Sequence, residues 1–168
     1  MNITMKRGLS TAAICALAFA AAACDRAEAP AESALETAAA ISEADAAAIA
    51  DATVATWTSM DTAKIKALYA PGVVAFDFSA PDLVTERARF DEIQDGFAAA
   101  KFDAAEELSR NIQILDAGNF VMNGAWNITS SATPANNASV RCTDVFHKDD
   151  GGKWLIVSEH CSPVPSAA

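Results

Sequence analysis

The stretch TDVFHKDDGGKWLIVSEHCS, residues 143–162, constrains this chain more than any other. It reads as two strands folded back on each other at Gly151-Gly152. A Gly-Gly pair between two apolar, β-rich runs is a strong hairpin signal, because both turn positions reach φ > 0 with no Cβ penalty. Alternation then sorts the side chains into two faces. Any pairing whose residue numbers sum to an odd value puts Arg141, Thr143, Val145 and His147 on one face with Trp154, Ile156, Ser158, His160 and Ser162. Cys142, Asp144 and Phe146 share the other face with Leu155, Val157, Glu159 and Cys161. A two-residue turn gives a sum of 303, which sets Cys142 against Cys161 and Asp144 against Glu159. The second pairing is unfavourable, since like charges directly opposite each other repel. A slipped register would leave the cysteines diagonal.

Upstream of the hairpin the grammar is helical first and then strand-like. Ser42-Glu43-Ala44-Asp45 forms a capping-box-like start, with Asp in place of the usual Glu. Ala46, Ala50, Val54 and Trp57 follow at helical spacing. Asp61 can cap a short second helix that buries Ile65, Leu68 and Tyr69 and ends at Pro71-Gly72. Val73 to Phe78 is a short β run closed by Pro81. Glu86 to Lys101 predicts a third helix with Phe90, Ile93 and Phe97 on its buried side. Strands are predicted over 108–115, 120–129, 139–147 and 153–162, separated by turn-like clusters. Helices followed by a run of antiparallel strands argue for an α+β fold. A strongly bent sheet over helices leaves a cavity between the layers, the default ligand site.

The N-terminus carries an address. Lys6 and Arg7 precede an apolar run from Leu9 to Ala20 and the small residues Ala21-Ala22-Ala23. This is the pattern of a secretory signal. Small residues leading into Cys24 look like a bacterial lipobox, so Cys24 is the expected lipidation site. Asp25 resembles a signal for retention in the inner membrane. The expected organisation is a signal peptide over 1–23, an Ala/Glu-rich tether over 24–41, and one domain over 42–168. The expected location is the periplasmic side of the inner membrane, held through the N-terminal lipid. The formal net charge is −10. Loss of Lys6 and Arg7 leaves 10 Lys+Arg against 22 Asp+Glu, or −12 in the mature chain. Such an acidic chain repels nucleic acid, which is discounted as a partner. An extracytoplasmic compartment oxidises thiols. Cys142 and Cys161 are then either a disulfide or two small buried hydrophobes.

Two segments carry a family resemblance. KALYAPGVVAFDF, residues 66–78, looks like the join between the second helix and first strand of ketosteroid-isomerase-like proteins. The hairpin with its tail Pro163-Val164-Pro165 resembles the last two strands of SnoaL-like domains. It is also similar to the end of the association domain of calcium/calmodulin-dependent kinase II. The shared pattern is Thr143, Val145, Asp150-Gly151, Lys153-Trp154, Ile156-Val157, His160 and Ser162. All three belong to the nuclear transport factor 2-like superfamily, and the resemblance spans residues 43 to 163. It implies three helices packed on a strongly curved antiparallel sheet, the cystatin-like, cone-shaped α+β barrel. It also implies a homodimer through the outer face of the sheet.

By the same resemblance the face carrying Asp144, Glu159 and Cys161 looks into the cavity. Asp77 falls where ketosteroid isomerases carry their catalytic base, and Asp144 is a second acid–base candidate. Read from the residues alone, Asp77 instead caps a turn before Pro81. The family's phenolic donor aligns near Thr53, and the lone tyrosine, Tyr69, stands elsewhere. Trp57 and Trp126 are candidates for the pocket wall, with Trp126 the one to test for stacking on a ligand. His160 and Ser162 belong to the structural motif. Two histidines without ligand spacing give no metal site, and no cofactor is expected. The leading expectation is a domain that binds a small hydrophobic or carbonyl-containing molecule. The alternatives are an isomerase- or hydrolase-type enzyme with Asp77 as base, and a dimerisation module.

Overall fold

The computed structural model describes residues 40–164. The expected signal peptide, Cys24, Asp25 and the tether up to residue 39 lie outside the described residues.

Helix α1 runs Glu43–Thr58, and the Ser42 hydroxyl accepts from the Asp45 N–H at 3.1 Å, as the capping signal predicts. Helix α2 is short, Thr62–Lys66, and Asp61 caps it through Lys64 N–H at 3.2 Å. Strand β1 follows at Tyr69–Phe76, then helix α3 at Arg87–Ala99. Strands β2 (Ala104–Ile114), β3 (Asn119–Thr129), β4 (Ala138–Lys148) and β5 (Trp154–Pro163) complete one sheet in the order β1-β5-β4-β3-β2. The pairings among β2 to β5 are antiparallel, whereas β1 runs parallel to β5. Phe90, Phe120, Phe146, Ile65, Met122 and Ile156 are fully buried, and Phe120 stacks on Phe146 at 4.4 Å. The fold is the expected α+β architecture of helices on a curled, mostly antiparallel sheet.

Two expectations need correction. Pro71-Gly72 does not end the second helix; it lies inside β1. An edge strand tolerates proline because one row of its N–H groups has no partner to serve. Tyr69 therefore opens a strand instead of closing a helix. The hairpin turn is the second correction. Asp149 N–H donates to Lys153 C=O at 2.9 Å, Gly152 N–H donates to Asp149 C=O at 2.9 Å, and Gly152 sits at φ 83°. The loop is thus Asp150-Gly151-Gly152, three residues, with glycine in the left-handed position.

A three-residue loop makes the pairs near the turn sum to 302, as in Phe146 opposite Ile156. A bulge at Val157 then restores 303, giving Val145 opposite Ser158 and Asp144 opposite Glu159. The far half of the hairpin keeps the predicted faces. The near half does not: Ile156 turns inward beside Phe146, and Trp154 packs against Phe120 at 5.2 Å.

Cys142 and Cys161 lie directly opposite each other and are joined by a disulfide. Closing a loop of sequence separation 19 stabilises the fold by about 3 kcal/mol in the chain-entropy account. Beside this bond on β3 is Gly124, whose partner is Cys142. The Trp126 ring lies over Gly124, and a Cβ there would come within 2.1 Å of Trp126 Cη2. The missing side chain makes room for the indole. Gly124→Ala is expected to cost about 1–3 kcal/mol in denaturant unfolding, because the ring must leave its place. An unchanged midpoint would contradict this packing.

Candidate functional site

The cavity lies between the helices and the inner face of the sheet. The space it leaves for the centres of water-sized molecules is about 70 Å³. Its wall is mostly apolar and aromatic. Trp57 comes from α1, Phe97 from α3, Trp126 and Ile128 from β3, with Phe78 and Phe102 from the connections. Trp57 and Trp126 meet edge to face at 6.4 Å. The disulfide forms part of the wall through Cys142 and Cys161.

Asp77 and Glu159 line this cavity, and a third carboxyl, Asp144, is buried behind Glu159. Register explains two of them: the inward row across the sheet reads Ala75, Glu159, Asp144, Met122. Asp144 is completely buried, and neither of its oxygens has a hydrogen-bond donor. Glu159 is buried beside it and lines the cavity. As ionised groups both accept only, so neither can serve the other. One shared proton resolves this, with Asp144 donating to Glu159. Burial, then the Glu159 charge, pushes Asp144 well above the ordinary carboxyl range. Glu159 is raised to about 7, chiefly by burial and further by the Asp77 charge, while the hydrogen bonds from Tyr69 and Asp144 pull it back.

Tyr69 is the residue that the sequence reading missed. Its hydroxyl donates to Glu159 Oε2 at 2.7 Å and accepts from Trp57 Nε1 at 3.1 Å. Burial and the two nearby carboxylates hold the phenol well above its usual value, so it stays a donor. Arg87 fixes its backbone: the guanidinium donates to the carbonyls of Lys66, Tyr69 and Ala70 at 2.9, 3.0 and 2.9 Å. A signal was present in the sequence. Ala70 precedes Pro71, and a residue before proline is pushed out of the helical region.

Asp77 takes the turn-capping place that the residues alone predict, and it also stands at the cavity. It is buried and lines the cavity. Its Oδ1 also accepts from the N–H and hydroxyl of Ser79, at 2.7 and 2.5 Å, capping the turn. Thr53, at the family's donor position, gives its hydroxyl to Ile49 C=O and has no such role. His160 and Ser162 face away from the cavity with Arg141, Thr143 and Asn123. His160 packs against Phe76, and Ser162 accepts from Arg141 Nε at 3.0 Å. The sheet thus separates the motif residues from the carboxyl cluster.

The family model of the SnoaL-like domain matches residues 36–166. The chain belongs to the SnoaL-like domain family. Several solved structures share its fold. A Xanthomonas campestris protein assigned as a calcium/calmodulin-dependent protein kinase II association domain is 25% identical, with TM-score 0.63 over 78% of this chain and 97% of that one. A Parabacteroides distasonis protein assigned as a ketosteroid isomerase is 17% identical, with TM-score 0.58 over 71% and 85%. A Streptomyces avermitilis protein assigned as a dehydratase of the nuclear transport factor 2-like family is 17% identical, with TM-score 0.59 over 72% and 94%. No curated protein matches the chain. The SnoaL-like fold supports a ligand-binding or isomerase-like domain.

The raised Glu159 has a consequence for stability. In the folded state its carboxyl keeps a proton up to about 7, against the ordinary 4.5 of an exposed glutamate. The unfolded chain therefore loses this proton first as pH rises. Stability is full below the unfolded value and is lost on the way to pH 7, by about 3 kcal/mol for this one group. Denaturant unfolding at about pH 5 and about pH 8 should show the loss, and Glu159→Gln should flatten it. Parallel profiles for the two proteins would contradict the assignment.

Proposed function

We propose that this SnoaL-like domain binds a small, largely apolar molecule in its cone-shaped cavity, from a lipid anchor at Cys24 on the periplasmic side of the inner membrane. One observation carries the binding reading: an aromatic cavity ends on a buried polar cluster of Tyr69, Glu159, Asp144 and Asp77. Apolar walls supply affinity through burial, at about 25 cal/mol per Å². A few polar groups at one end fix orientation. The secretory pattern and lipobox before Cys24 support the location, and the disulfide agrees with an oxidising compartment. A homodimer through the outer sheet face is part of the proposal, supported by Val74 and Phe76, which stand exposed there.

A second reading is proton-transfer catalysis of the isomerase type, with Asp77 as base. What favours it is geometry: Asp77 is buried at the cavity beside Glu159, whose carboxyl burial pushes up to about 7 and which accepts from the Tyr69 hydroxyl. A group poised near neutral pH suits general acid–base work.

Native mass spectrometry of the protein recovered in detergent from bacterial membranes tests the proposal. The expected species is a dimer with acylated Cys24 and a retained small-molecule adduct. An unacylated chain would overturn the anchor, and a monomer would overturn the dimer. An empty cavity that takes up no apolar probe would overturn binding. Asp77→Asn separates the two readings, since it abolishes turnover in an enzyme and leaves the affinity for a neutral apolar probe within a few-fold in a carrier.

A further inference from the structure

Every ionisable side chain that faces the cavity is acidic. Tyr69 and, just beyond it, Asp77 come from β1 and its end, and Glu159 from β5, with the buried Asp144 of β4 behind it. Helix α1 contributes Trp57 and Thr58, and α3 contributes Gln94, all uncharged. No lysine or arginine is among the lining residues. Three basic side chains of the neighbouring elements are used elsewhere. Arg87 holds backbone carbonyls, Arg110 pairs with Asp51 and Glu107, and Lys66 pairs with Asp95.

The hydrogen-bonding capacity left at the cavity points the same way. Tyr69 has given its proton to Glu159, Trp57 has given its N–H to Tyr69, and Thr58 has given its hydroxyl to α1 carbonyls. What remains is the second Asp77 oxygen and the Asp144–Glu159 pair as acceptors, with the Gln94 amide able to donate or accept. Among the buried groups without a partner, Trp126 Nε1–H is the donor at this cavity. The rings of Trp57, Trp126 and Tyr69 line the same cavity as Asp77 and Glu159. Aromatic faces and carboxylates both attract a cation, more strongly in a desolvated site.

Resting on the ligand-binding reading above, we infer that the ligand is a small organic cation: an amine with an apolar body, its charged head against Asp77 and Glu159 and its body against Trp57 and Trp126. A neutral carbonyl compound would accept from Trp126 Nε1–H and leave the Asp77 and Glu159 oxygens unserved. An anion would meet the Asp77 and Glu159 carboxyls and no base. The arriving positive charge also lets the buried carboxyl pair ionise, so binding near neutral pH releases a proton to solvent.

Three probes of one shape and different charge test this: phenethylamine, phenethyl alcohol and phenylpropanoate, titrated calorimetrically into the full chain. The amine should bind about tenfold more tightly than the alcohol or better, and the carboxylate should not bind. The amine's heat should change with the ionisation enthalpy of the buffer, reporting proton release, and the alcohol's should not. Glu159→Gln should cut the amine preference about fivefold or more. Asp77→Asn gives the same reading if that variant fails to fold, and the buffer comparison needs no variant at all. Equal binding of amine and alcohol would overturn the cation inference and leave the cavity reading standing. Binding of none of the three would overturn both.

Discussion

Two carboxyl side chains face each other across β4 and β5, inside the fold, with no basic group beside them. That arrangement costs stability whenever both are charged. It persists because one proton can be shared, because Tyr69 donates to Glu159, and because the backbone register leaves no other place for the pair. The register is itself fixed from two sides. At the turn, Gly152 sets a three-residue loop; at the far end, the disulfide locks Cys142 to Cys161. Between them the bulge at Val157 absorbs the one-residue difference. Asp144 and Glu159 sit between bulge and disulfide and are held opposite each other.

The rest of the site follows from that row. Trp126 lies two inward rows further along β3, past the disulfide, and Gly124 in the row between gives its ring space. Trp57 reaches from α1 to the same hydroxyl that serves Glu159. Arg87 ties α3 to the start of β1 and so holds Tyr69 at the cavity end. Helices, sheet edge and hairpin thus converge on a single phenol. The SnoaL-like fold supplies the cone; these particular residues give it an acidic, aromatic end. Across superfamilies of this kind, fold says little about reaction or ligand, and the chemistry must be argued from the site.

Much of this was legible in the sequence, for physical reasons that differ by element. Ser42 and Asp61 announce their helices because a capping hydroxyl or carboxylate acts locally. Period-two alternation and an odd pairing sum put Cys142, Asp144, Glu159 and Cys161 on one face; their direct opposition was one of two registers left open and rested on a two-residue turn, where the structure has a three-residue loop and a bulge. The turn length was not legible. Ile156 and Val157 are both apolar and β-branched, so the pattern is silent on which faces inward, and the bulge between them leaves no compositional trace. Tyr69 was hidden by Pro71, which reads as a stop when the strand is taken as central and as acceptable only on an edge. Its bond to Glu159 spans 90 residues, and no local rule reaches that far. The signal peptide, tether and Cys24 rest on sequence pattern alone and lie outside the described residues.

The account turns on the protonation of the buried pair in the empty protein. Carbon-detected NMR of ¹³C-labelled carboxyl groups reads it directly, residue by residue, as pH is raised. The account predicts that Glu159 titrates near pH 7 and that Asp144 stays protonated well above an ordinary aspartate, the two shifts moving together as a coupled pair. Independent titrations of both groups near pH 4, the range of exposed carboxyls, would contradict it.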